Sequence, residues 1–237
     1  VLRKIKNKNY YTYGINKNAN FRILNIFQSI NYSKFDLIIN IPGRKKLIKK
    51  IKIPLLGLHN IRNSAAAVAV AFSIGVTENI IKKGLFNFKG VQRRFNFLFK
   101  KNNAIFFDDY AHHPTEISSV LDGVSEVYKK KEIICVFQPH RFSRVKNLKI
   151  EFSKCFKKAN TVLLCPIYKA NENIKLGFSY NSFAKLIIKN SKVKLINIED
   201  EQNLTKFLRQ TAYGEKIYIG MGAGSISTWM KNLKHSI

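Results

Sequence analysis

The second half of the chain alternates short apolar runs with helical stretches, and this alternation restricts the fold more than any other feature of the sequence. The apolar runs have the length of strands and occupy residues 104–107, 132–137, 161–165, 193–196 and 216–219. The helical stretches occupy approximately residues 114–128, 145–157, 182–188, 201–210 and 225–233. Apolar strands that alternate with helices predict an α/β fold with a doubly wound, mostly parallel sheet.

The first part of the chain is rich in Lys and Asn and has a different pattern. Its short apolar alternations predict strands at residues 10–13, 21–27 and 35–41. From Gly57 an alanine-rich helix is predicted, with Asn60 or Asn63 as its N-cap. A second helix is predicted from the N-cap Thr77 to about residue 86. We therefore expect a domain boundary near residues 87–91, with units of residues 1–88 and 89–237.

The charge is strongly positive, because 42 Lys and Arg residues face 14 Asp and Glu residues, for a net charge of +28. Such a balance ordinarily suggests a nucleic-acid partner. However, 33 of the basic residues are Lys and only 9 are Arg, and the Lys residues are spread over helices, loops and termini along with 24 Asn residues. A nucleic-acid-binding surface would concentrate Arg on one face, because Arg makes forked phosphate contacts. We therefore predict no nucleic-acid partner.

Cysteine usage and hydropathy indicate a cytoplasmic protein. Cys135, Cys155 and Cys165 are odd in number and lack metal-ligand spacing, which predicts buried, reduced thiols. The longest stretch of small apolar residues, 65–74, is half of the ~20 residues that a membrane span needs. No signal peptide is recognisable at the start of the chain, and no membrane partner is predicted.

Four segments of unusual composition follow predicted strands, at residues 108–114, 138–144, 168–172 and 220–225. Ligands of doubly wound sheets bind outside the carboxyl ends of the strands, so the four segments are expected to share one rim. Arg141 and Arg144 stand three residues apart in a chain with few arginines, and this pair suits a carboxylate or phosphate site.

Each segment also has a structural interpretation. Asp108 and Asp109 suit a helix cap or a loop as well as a site. The adjacent His112 and His113 have no third residue at a spacing that completes a zinc site, so no metal ligands are predicted in this chain. The glycines of segment 220–225 lack the full G-x-G-x-x-G pattern and are predicted to ease a strand-to-helix turn.

Four motifs, taken together and in their order along the chain, resemble the Mur ligases. They are Gly-Leu-His-Asn-Ile-Arg-Asn at 57–63, Gly-Val-Gln-Arg-Arg-Phe at 90–95, Asp-Asp-Tyr-Ala-His-His-Pro-Thr-Glu at 108–116 and Phe-Gln-Pro-His-Arg-Phe-Ser-Arg at 137–144. The resemblance implies an enzyme with a UDP-sugar domain, a central ATPase domain and a C-terminal Rossmann-like domain. Residues 1–88 would be the C-terminal part of the ATPase domain, and residues 89–237 the whole Rossmann-like domain.

The resemblance also implies that this chain is a fragment. Its first residue is not Met, and the UDP-binding domain, the phosphate loop and the Mg²⁺ ligands of the family are expected upstream of Val1. We therefore expect the 237-residue chain alone neither to hydrolyse ATP nor to ligate alanine.

The implied reaction belongs to peptidoglycan synthesis in the cell wall, and through it to cell shape and division. ATP, with Mg²⁺, phosphorylates the lactyl carboxylate of UDP-N-acetylmuramate, and the amine of L-alanine then attacks the acyl phosphate. Both steps need stabilisation of developing negative charge. The expected oligomeric state is a monomer or a homodimer.

Site residues follow from the same resemblance. It assigns catalytic roles to Arg94, Asp109, His112 and His113. It assigns ATP binding to His59, Asn60, Asn63, Arg94 and Asp109. It also places six residues around the alanine and the acyl phosphate, namely Tyr110, His112, His113, His140, Arg141 and Arg144. A neutral imidazole would accept the proton of the amine, and the sequence does not select which one.

Two alternatives remain at this point. A sister branch of the family attaches a whole tripeptide to the same UDP-sugar, but it usually reads Arg-Arg-Met-Glu where this chain has Arg93-Arg94-Phe95-Asn96. It also ends its histidine motif in Thr-Ala, whereas this chain has Thr115-Glu116, which favours the alanine-adding branch. The second alternative is a non-catalytic, basic nucleic-acid-binding protein, which the spread of Lys disfavours.

One motif departs from the family. Tyr168-Lys169-Ala170-Asn171-Glu172 stands where the family commonly has Tyr-x-Ala-Gly-Glu. Asn tolerates a positive φ better than most residues, so the turn is expected to survive.

Overall fold

The computed structural model describes residues 10–88, 90–172 and 179–237. The chain forms two compact units, one ending at Gly90 and the other running from Val91 to Ile237. The boundary expected between residues 88 and 89 adjoins residue 89, which lies outside the described residues.

The first unit contains a four-stranded sheet in the order β1-β2-β3-β4. Its strands are β1 (Tyr13–Gly14), β2 (Phe21–Gln28), β3 (Ser33–Ile41) and β4 (Arg44–Ile53). β1 pairs with β2 in parallel, and the other two pairs are antiparallel. The strands predicted at 21–27 and 35–41 are confirmed, whereas the strand predicted at 10–13 is reduced to Tyr13–Gly14. β4 was not predicted, because basic side chains occupy most of its positions and hide the apolar alternation. Only Ile48, Ile51 and Ile53 are buried in the core.

Two helices complete the first unit, α1 (Leu58–Ser73) and α2 (Glu78–Asn87). The prediction that Asn60 or Asn63 caps α1 is wrong, because the N-cap is Gly57 and no side chain caps the helix. Gly57 has a φ of 91°, which favours glycine, and its N–H is satisfied by Gln28 Oε1 at 2.7 Å. The N-cap Thr77 of α2 is confirmed, although its side chain makes no capping hydrogen bond.

The second unit contains a six-stranded sheet in the order β5-β6-β10-β7-β8-β9. The strands are β5 (Asn96–Lys101), β6 (Ala104–Asp109), β7 (Glu132–Phe137), β8 (Thr161–Leu164), β9 (Lys194–Asn197) and β10 (Lys216–Met221). All neighbours pair in parallel except β5, which is antiparallel to β6. The predicted fold class, a mostly parallel α/β sheet, is confirmed.

β5 was not predicted, although the sequence contains a signal for it. Asn102 and Asn103, the two residues between β5 and β6, have φ values of 47° and 68°. Two residues with positive φ form the tight turn that best suits the twist of a hairpin, and Asn is among the residues that tolerate it. The pair of asparagines between two apolar runs therefore indicated a hairpin.

The helices of the second unit lie between and after the strands. They are α3 (Pro114–Val127), α4 (Phe142–Asn147), α5 (Lys149–Lys154), α6 (Tyr180–Ser191), α7 (Glu201–Thr211) and α8 (Ile226–Ser236). The single helix predicted at 145–157 is wrong, because Leu148, with φ −114° and ψ 26°, interrupts the helix and separates α4 from α5. No described helix is long and apolar enough to cross a membrane.

Three stacked aromatic rings join the strands that form one side of the second unit's core. Phe106 lies between Phe99 and Tyr218, with ring centroids 4.3 and 4.9 Å apart and interplanar angles of 12° and 9°. These rings belong to β5, β6 and β10, which are neighbours in the sheet. The stack thus holds the antiparallel hairpin against the parallel strands.

Removing the central ring of this stack should destabilise the second unit. Phe106 is fully buried, so Phe106→Ala is expected to lower the free energy of unfolding by ~3–5 kcal/mol through lost burial and a residual cavity. Urea denaturation followed by the fluorescence of Trp229, the single tryptophan, reports this unit. Phe97→Ala is the matched control, because Phe97 is 62% exposed and should cost less than ~1 kcal/mol. Equal losses in the two variants would contradict the assignment of the core.

Candidate functional site

The four unusual segments meet at the carboxyl ends of β6, β7, β8 and β10, as expected. Gln138 N donates to the Met221 carbonyl at 2.9 Å, and Gly222 N donates to the Asp109 carbonyl at 3.3 Å. Arg141 N donates to the Tyr168 carbonyl at 2.9 Å, which joins the segments that follow β7 and β8. We call this edge of the second unit the rim.

Asp108 and Asp109 are not loop or cap residues, because they form the end of β6 and are each 1% exposed. The Asp109 carboxylate accepts backbone N–H bonds from Phe95 and Ala111, both at 2.7 Å. It therefore links the turn that carries Arg94 to the start of the histidine motif. Burial raises the pKa of Asp109 to about 6, although the two N–H bonds and the positive charge of Arg94 oppose this shift.

Arg93 and Asp108 form a second connection, which the sequence reasoning missed. Asp108 Oδ2 accepts from the Ser227 hydroxyl at 2.6 Å and lies 3.6 Å from Arg93 Nε. Arg93 Nη2 donates to the Gly222 carbonyl at 2.6 Å, and its guanidinium lies 4.7 Å from the centre of the Tyr110 ring. The sequence signal for this connection was the pair of duplicated residues, Arg93-Arg94 and Asp108-Asp109. Successive strand residues face opposite sides of a sheet, so the two carboxylates need different partners.

The two adjacent histidines have different positions relative to α3, because His112 precedes the helix and His113 is its N-cap. His113 is the N-cap of this helix, and its Nδ1 accepts from Thr115 N at 3.3 Å. Glu116 Oε2 accepts from the backbone N–H groups of His112 and His113, which completes a capping box. Burial alone would raise the pKa of Glu116, but these hydrogen bonds bring it below its ordinary value. Glu116, a residue that carried no predicted site role, therefore fixes the backbone of both histidines.

The imidazole of His112 turns toward neighbouring rim residues. Its Nδ1 lies 2.9 Å from the Tyr110 carbonyl and 3.7 Å from Glu116 Oε2. Its ring is 5.1 Å from the Tyr110 ring and 5.9 Å from the His140 ring, measured between centroids.

His140 connects this group to the arginines. Its ring stacks on Tyr168 at 5.5 Å, and Arg144 Nη1 lies 3.2 Å from its Nδ1. Burial and the positive charge of Arg144 lower the pKa of His140. The two basic side chains predicted to bind an anion, Arg141 and Arg144, thus flank an imidazole whose pKa is lowered.

The loop of residues 168–172 is bound to the start of α4. Glu172 accepts from both the backbone N–H and the hydroxyl of Ser143, and these bonds lower its pKa. Asn171 has a φ of 66°, so the expectation that Asn supports this turn is confirmed. The loop therefore lies next to Arg141, the residue that precedes Phe142 and the helix.

The glycine-rich turn after β10 is filled by a side chain of the protein. Gln138 Oε1 accepts from Ile226 N at 3.0 Å, at the start of α8. A Cβ at Gly222 would lie 2.7 Å from the Gln138 carbonyl, and one at Gly224 would lie 2.5 Å from Gln138 Oε1 and from Tyr168 Cγ. The glycines therefore allow close packing of the turn, as the structural interpretation of this segment predicted.

The structure gathers eight of the predicted site residues in the second unit, namely Arg94, Asp109, Tyr110, His112, His113, His140, Arg141 and Arg144. The other three lie at the start of α1 in the first unit. There His59 packs its ring against Gly57, and Asn60 Nδ2 donates to the Leu56 carbonyl at 2.7 Å. Asn63 is exposed on the same helix.

Among residues 10–88, 90–172 and 179–237, no group of three or more His, Cys, Asp or Glu side chains is arranged to hold a metal ion. The three cysteines are all buried free thiols, and burial raises the pKa of each.

Comparison with protein families gives two matches along the chain. Residues 93–224 match the family model of the Mur ligase glutamate ligase domain, and residues 1–71 match that of the Mur ligase middle domain. The chain is 61% identical, over its whole length, to 51% of the UDP-N-acetylmuramate–L-alanine ligase of Pelagibacter ubique. It is 36% identical, over 95% of its length, to 48% of the ligase of the same name from Bartonella tribocorum. The chain thus spans about half the length of the curated relatives that it matches.

Solved structures support the fold. The UDP-N-acetylmuramate–alanine ligase of Thermotoga maritima superposes with a TM-score of 0.74 at 24% identity, over 95% of this chain and 47% of that one. A murein peptide ligase from Psychrobacter arcticus superposes with a TM-score of 0.64 at 20% identity, over 95% of this chain and 45% of that one.

The raised pKa of Asp109 predicts a specific pH dependence of stability. Below about pH 6 the folded chain binds a proton at Asp109 that the unfolded chain, with an ordinary pKa near 3.8, does not bind. The contribution of Asp109 to the free energy of unfolding should therefore increase by ~2–3 kcal/mol as the pH falls from about 7.5 to about 4. It should decrease again as the pH rises through 6.

The measurement is urea denaturation between pH 4 and 7.5, followed by Trp229 fluorescence. Asp109→Asn should lack this increment, whereas Asp122→Asn, a change at an exposed position on α3, should retain it. Identical pH profiles for the wild-type chain and Asp109→Asn would contradict the prediction.

Proposed function

The chain belongs to the Mur ligase family, and from this premise we propose that it is part of an ATP-dependent ligase that joins L-alanine to UDP-N-acetylmuramate in peptidoglycan synthesis. The observation that carries the proposal is the 61% identity, over the whole chain, to a ligase named for that reaction. The clustering of the motif residues of the second unit at one rim supports it. Residues 1–88 would be the C-terminal part of the central ATPase domain, and residues 89–237 the C-terminal domain.

The proposed reaction has two steps. The γ-phosphoryl group of ATP passes to the lactyl carboxylate of UDP-N-acetylmuramate, which gives an acyl phosphate. The nitrogen of L-alanine then attacks the acyl carbon, and phosphate leaves. Bound Mg²⁺ would neutralise phosphate charge in the first step.

Nucleotide binding is proposed for residues of both units. Asn60 and Asn63 would contact the adenine, since amides match its donor and acceptor edge, and His59 would support them. Arg94 is exposed on the turn that Asp109 holds, and from there it would reach the ATP phosphates. Asp109 would bind the ribose or position Arg94. The hydrogen bonds of Asp109 to Phe95 and Ala111 favour the positioning role.

Alanine binding is proposed for the arginine side of the rim. Arg141 or Arg144 would pair with the alanine carboxylate, because a guanidinium makes two parallel N–H bonds to a carboxylate. Tyr110, His112, His113 and His140 would surround the amine and the acyl phosphate. We further propose a cytoplasmic monomer or homodimer that has no nucleic-acid or membrane partner.

A chimera tests the function directly. The matching half of the Pelagibacter ubique ligase is replaced by this chain, and phosphate release and the UDP-linked product are measured. We expect release that requires both UDP-N-acetylmuramate and L-alanine, with no release by the 237-residue chain alone. A chimera that is folded and binds ATP, yet releases phosphate only with a tripeptide or not at all, would overturn the proposal.

Substitutions in the chimera test the assigned residues. Arg94→Ala should lower kcat by ~10²-fold or more, because the loss of one preorganised charge costs ~2.7–4 kcal/mol in comparable sites.

Arg141→Lys or Arg144→Lys should raise the KM for alanine or lower kcat, with ATP affinity unchanged within a few-fold, because Lys lacks the two parallel N–H donors of a guanidinium. Arg209→Lys is the matched control, since Arg209 makes a 2.6 Å bond to the Ser236 carbonyl away from the rim. Loss of ATP affinity with normal alanine kinetics would place Arg141 and Arg144 on the phosphate side.

A further inference from the structure

The hydrogen bonds of the three imidazoles at the rim determine which nitrogen of each ring carries the proton when the ring is neutral. A neutral imidazole has one N–H and one nitrogen with an accessible lone pair. If Nδ1 donates a hydrogen bond, Nε2 is the basic nitrogen; if Nδ1 accepts one, Nε2 carries the hydrogen. Each ring at the rim makes such a bond through Nδ1.

Two of the three rings use their lone pair within the protein. The partner of His113 Nδ1 is the backbone N–H of Thr115, which can only donate. The partner of His140 Nδ1 is the guanidinium of Arg144, which also can only donate. In both rings Nδ1 is therefore the acceptor and Nε2 carries the hydrogen, so neither neutral ring offers a nitrogen that can take a proton from a substrate.

His112 has the opposite arrangement. The partner of its Nδ1 is the carbonyl of Tyr110, which can only accept, so Nδ1 carries the hydrogen and Nε2 keeps its lone pair. The Tyr110 carbonyl is itself held in place, because Tyr110 N donates to the Arg93 carbonyl at 2.7 Å and the Arg93 guanidinium covers the Tyr110 ring. The backbone N–H of His112 is fixed by Glu116. Both the ring orientation and the tautomer are thus determined by the fold.

The charges around His112 also suit a proton acceptor. Glu116 Oε2 lies 3.7 Å from Nδ1 and places a carboxylate beside the ring. Titratable or charged groups around it include Tyr110, His140 and Arg93, whose guanidinium covers the Tyr110 ring; Arg94 acts electrostatically on Glu116.

We propose that His112 is the general base of the ligation step, and that Arg93 and Glu116 are the positioning residues that hold its ring. This inference rests on the proposed function. In the step, the alanine nitrogen forms a bond to the acyl carbon, and the bond from that carbon to the phosphate oxygen breaks. The phosphate leaves with the bonding electron pair, and one proton of the nitrogen passes to Nε2 of His112. The resulting imidazolium keeps its Nδ1–H on the Tyr110 carbonyl.

The tautomers can be measured on the 237-residue chain, without any catalytic activity. Long-range proton–nitrogen correlation NMR on the chain labelled at histidine nitrogen, at about pH 8.5 where imidazoles are neutral, separates protonated from unprotonated ring nitrogens. We expect the hydrogen on Nδ1 in His112 and on Nε2 in His113 and His140. His112→Gln, His113→Gln and His140→Gln assign the signals, and His235, exposed on α8, gives the reference for an unconstrained ring. A hydrogen on Nε2 of His112 would overturn the proposal.

Kinetics of the chimera test the role of the ring. His112→Gln should lower kcat at saturating alanine by ~10²–10³-fold and remove the acid limb of the kcat–pH profile, with ATP affinity unchanged within a few-fold. His113→Asn keeps an acceptor for the Thr115 N–H, so its loss of kcat should be at least ~10-fold smaller. Arg93→Lys should move the His112 ring signals and lower kcat, whereas Arg209→Lys should do neither.

The outcomes separate this inference from the proposed function. If the unmodified chimera shows no alanine-dependent phosphate release, the proposed function fails, whatever the tautomers are. If it is active and His112→Gln keeps its rate or its acid limb, the general-base role fails and the proposed function stands.

Discussion

Two adjacent carboxylates are buried at the end of β6, and the arrangement of the rim depends on how each is compensated. A buried charge is tolerated only when it is paired or hydrogen-bonded. Asp109 takes backbone N–H bonds from two separate turns, and Asp108 takes the Ser227 hydroxyl and the nearby guanidinium of Arg93. Because the two side chains of successive strand residues face opposite sides of the sheet, they bind different partners. The segment Asp108-Asp109 thereby fixes the positions of the Arg94 turn, the histidine motif and α8 relative to one another.

Five of the ten non-glycine residues with positive φ in the described part of the chain lie in segments of the rim. Arg93, Phe95, Arg141, Ala170 and Asn171 all have φ values between 48° and 69°, a region that side chains with a Cβ rarely adopt. Each lies in a segment bound to the rim by hydrogen bonds. Such conformations persist where the surroundings over-determine them, and they cluster at functional sites. Their position at one edge of the second unit is thus an argument for a site that is independent of the motifs.

The high positive charge has little to do with this site. In the first unit, basic residues occupy all but one of the exposed positions of β4, where charged side chains protect the edge of a sheet from pairing with another chain. Basic side chains of β4 also lie over aromatic rings, as Lys52 does at 4.0 Å from the centre of Tyr32. At the rim, by contrast, the basic groups that make specific contacts are arginines, whose planar guanidinium donates in several directions at once.

The sequence by itself determined the parallel α/β sheet, the meeting of four segments at one rim and the family to which their motifs belong. It did so because apolar periodicity is local and because the carboxyl ends of parallel strands must lie on one edge. It did not reveal β4, whose apolar positions are hidden among lysines, nor the break at Leu148. The roles within the pairs Arg93-Arg94, Asp108-Asp109 and His112-His113 were decided only by the tertiary structure. The sequence alone does not distinguish two neighbouring residues of the same type. They differ in the hydrogen-bond donors and acceptors that the fold places next to each side chain. The Tyr110 carbonyl at His112 and the Thr115 N–H at His113 give two equal imidazoles opposite tautomers.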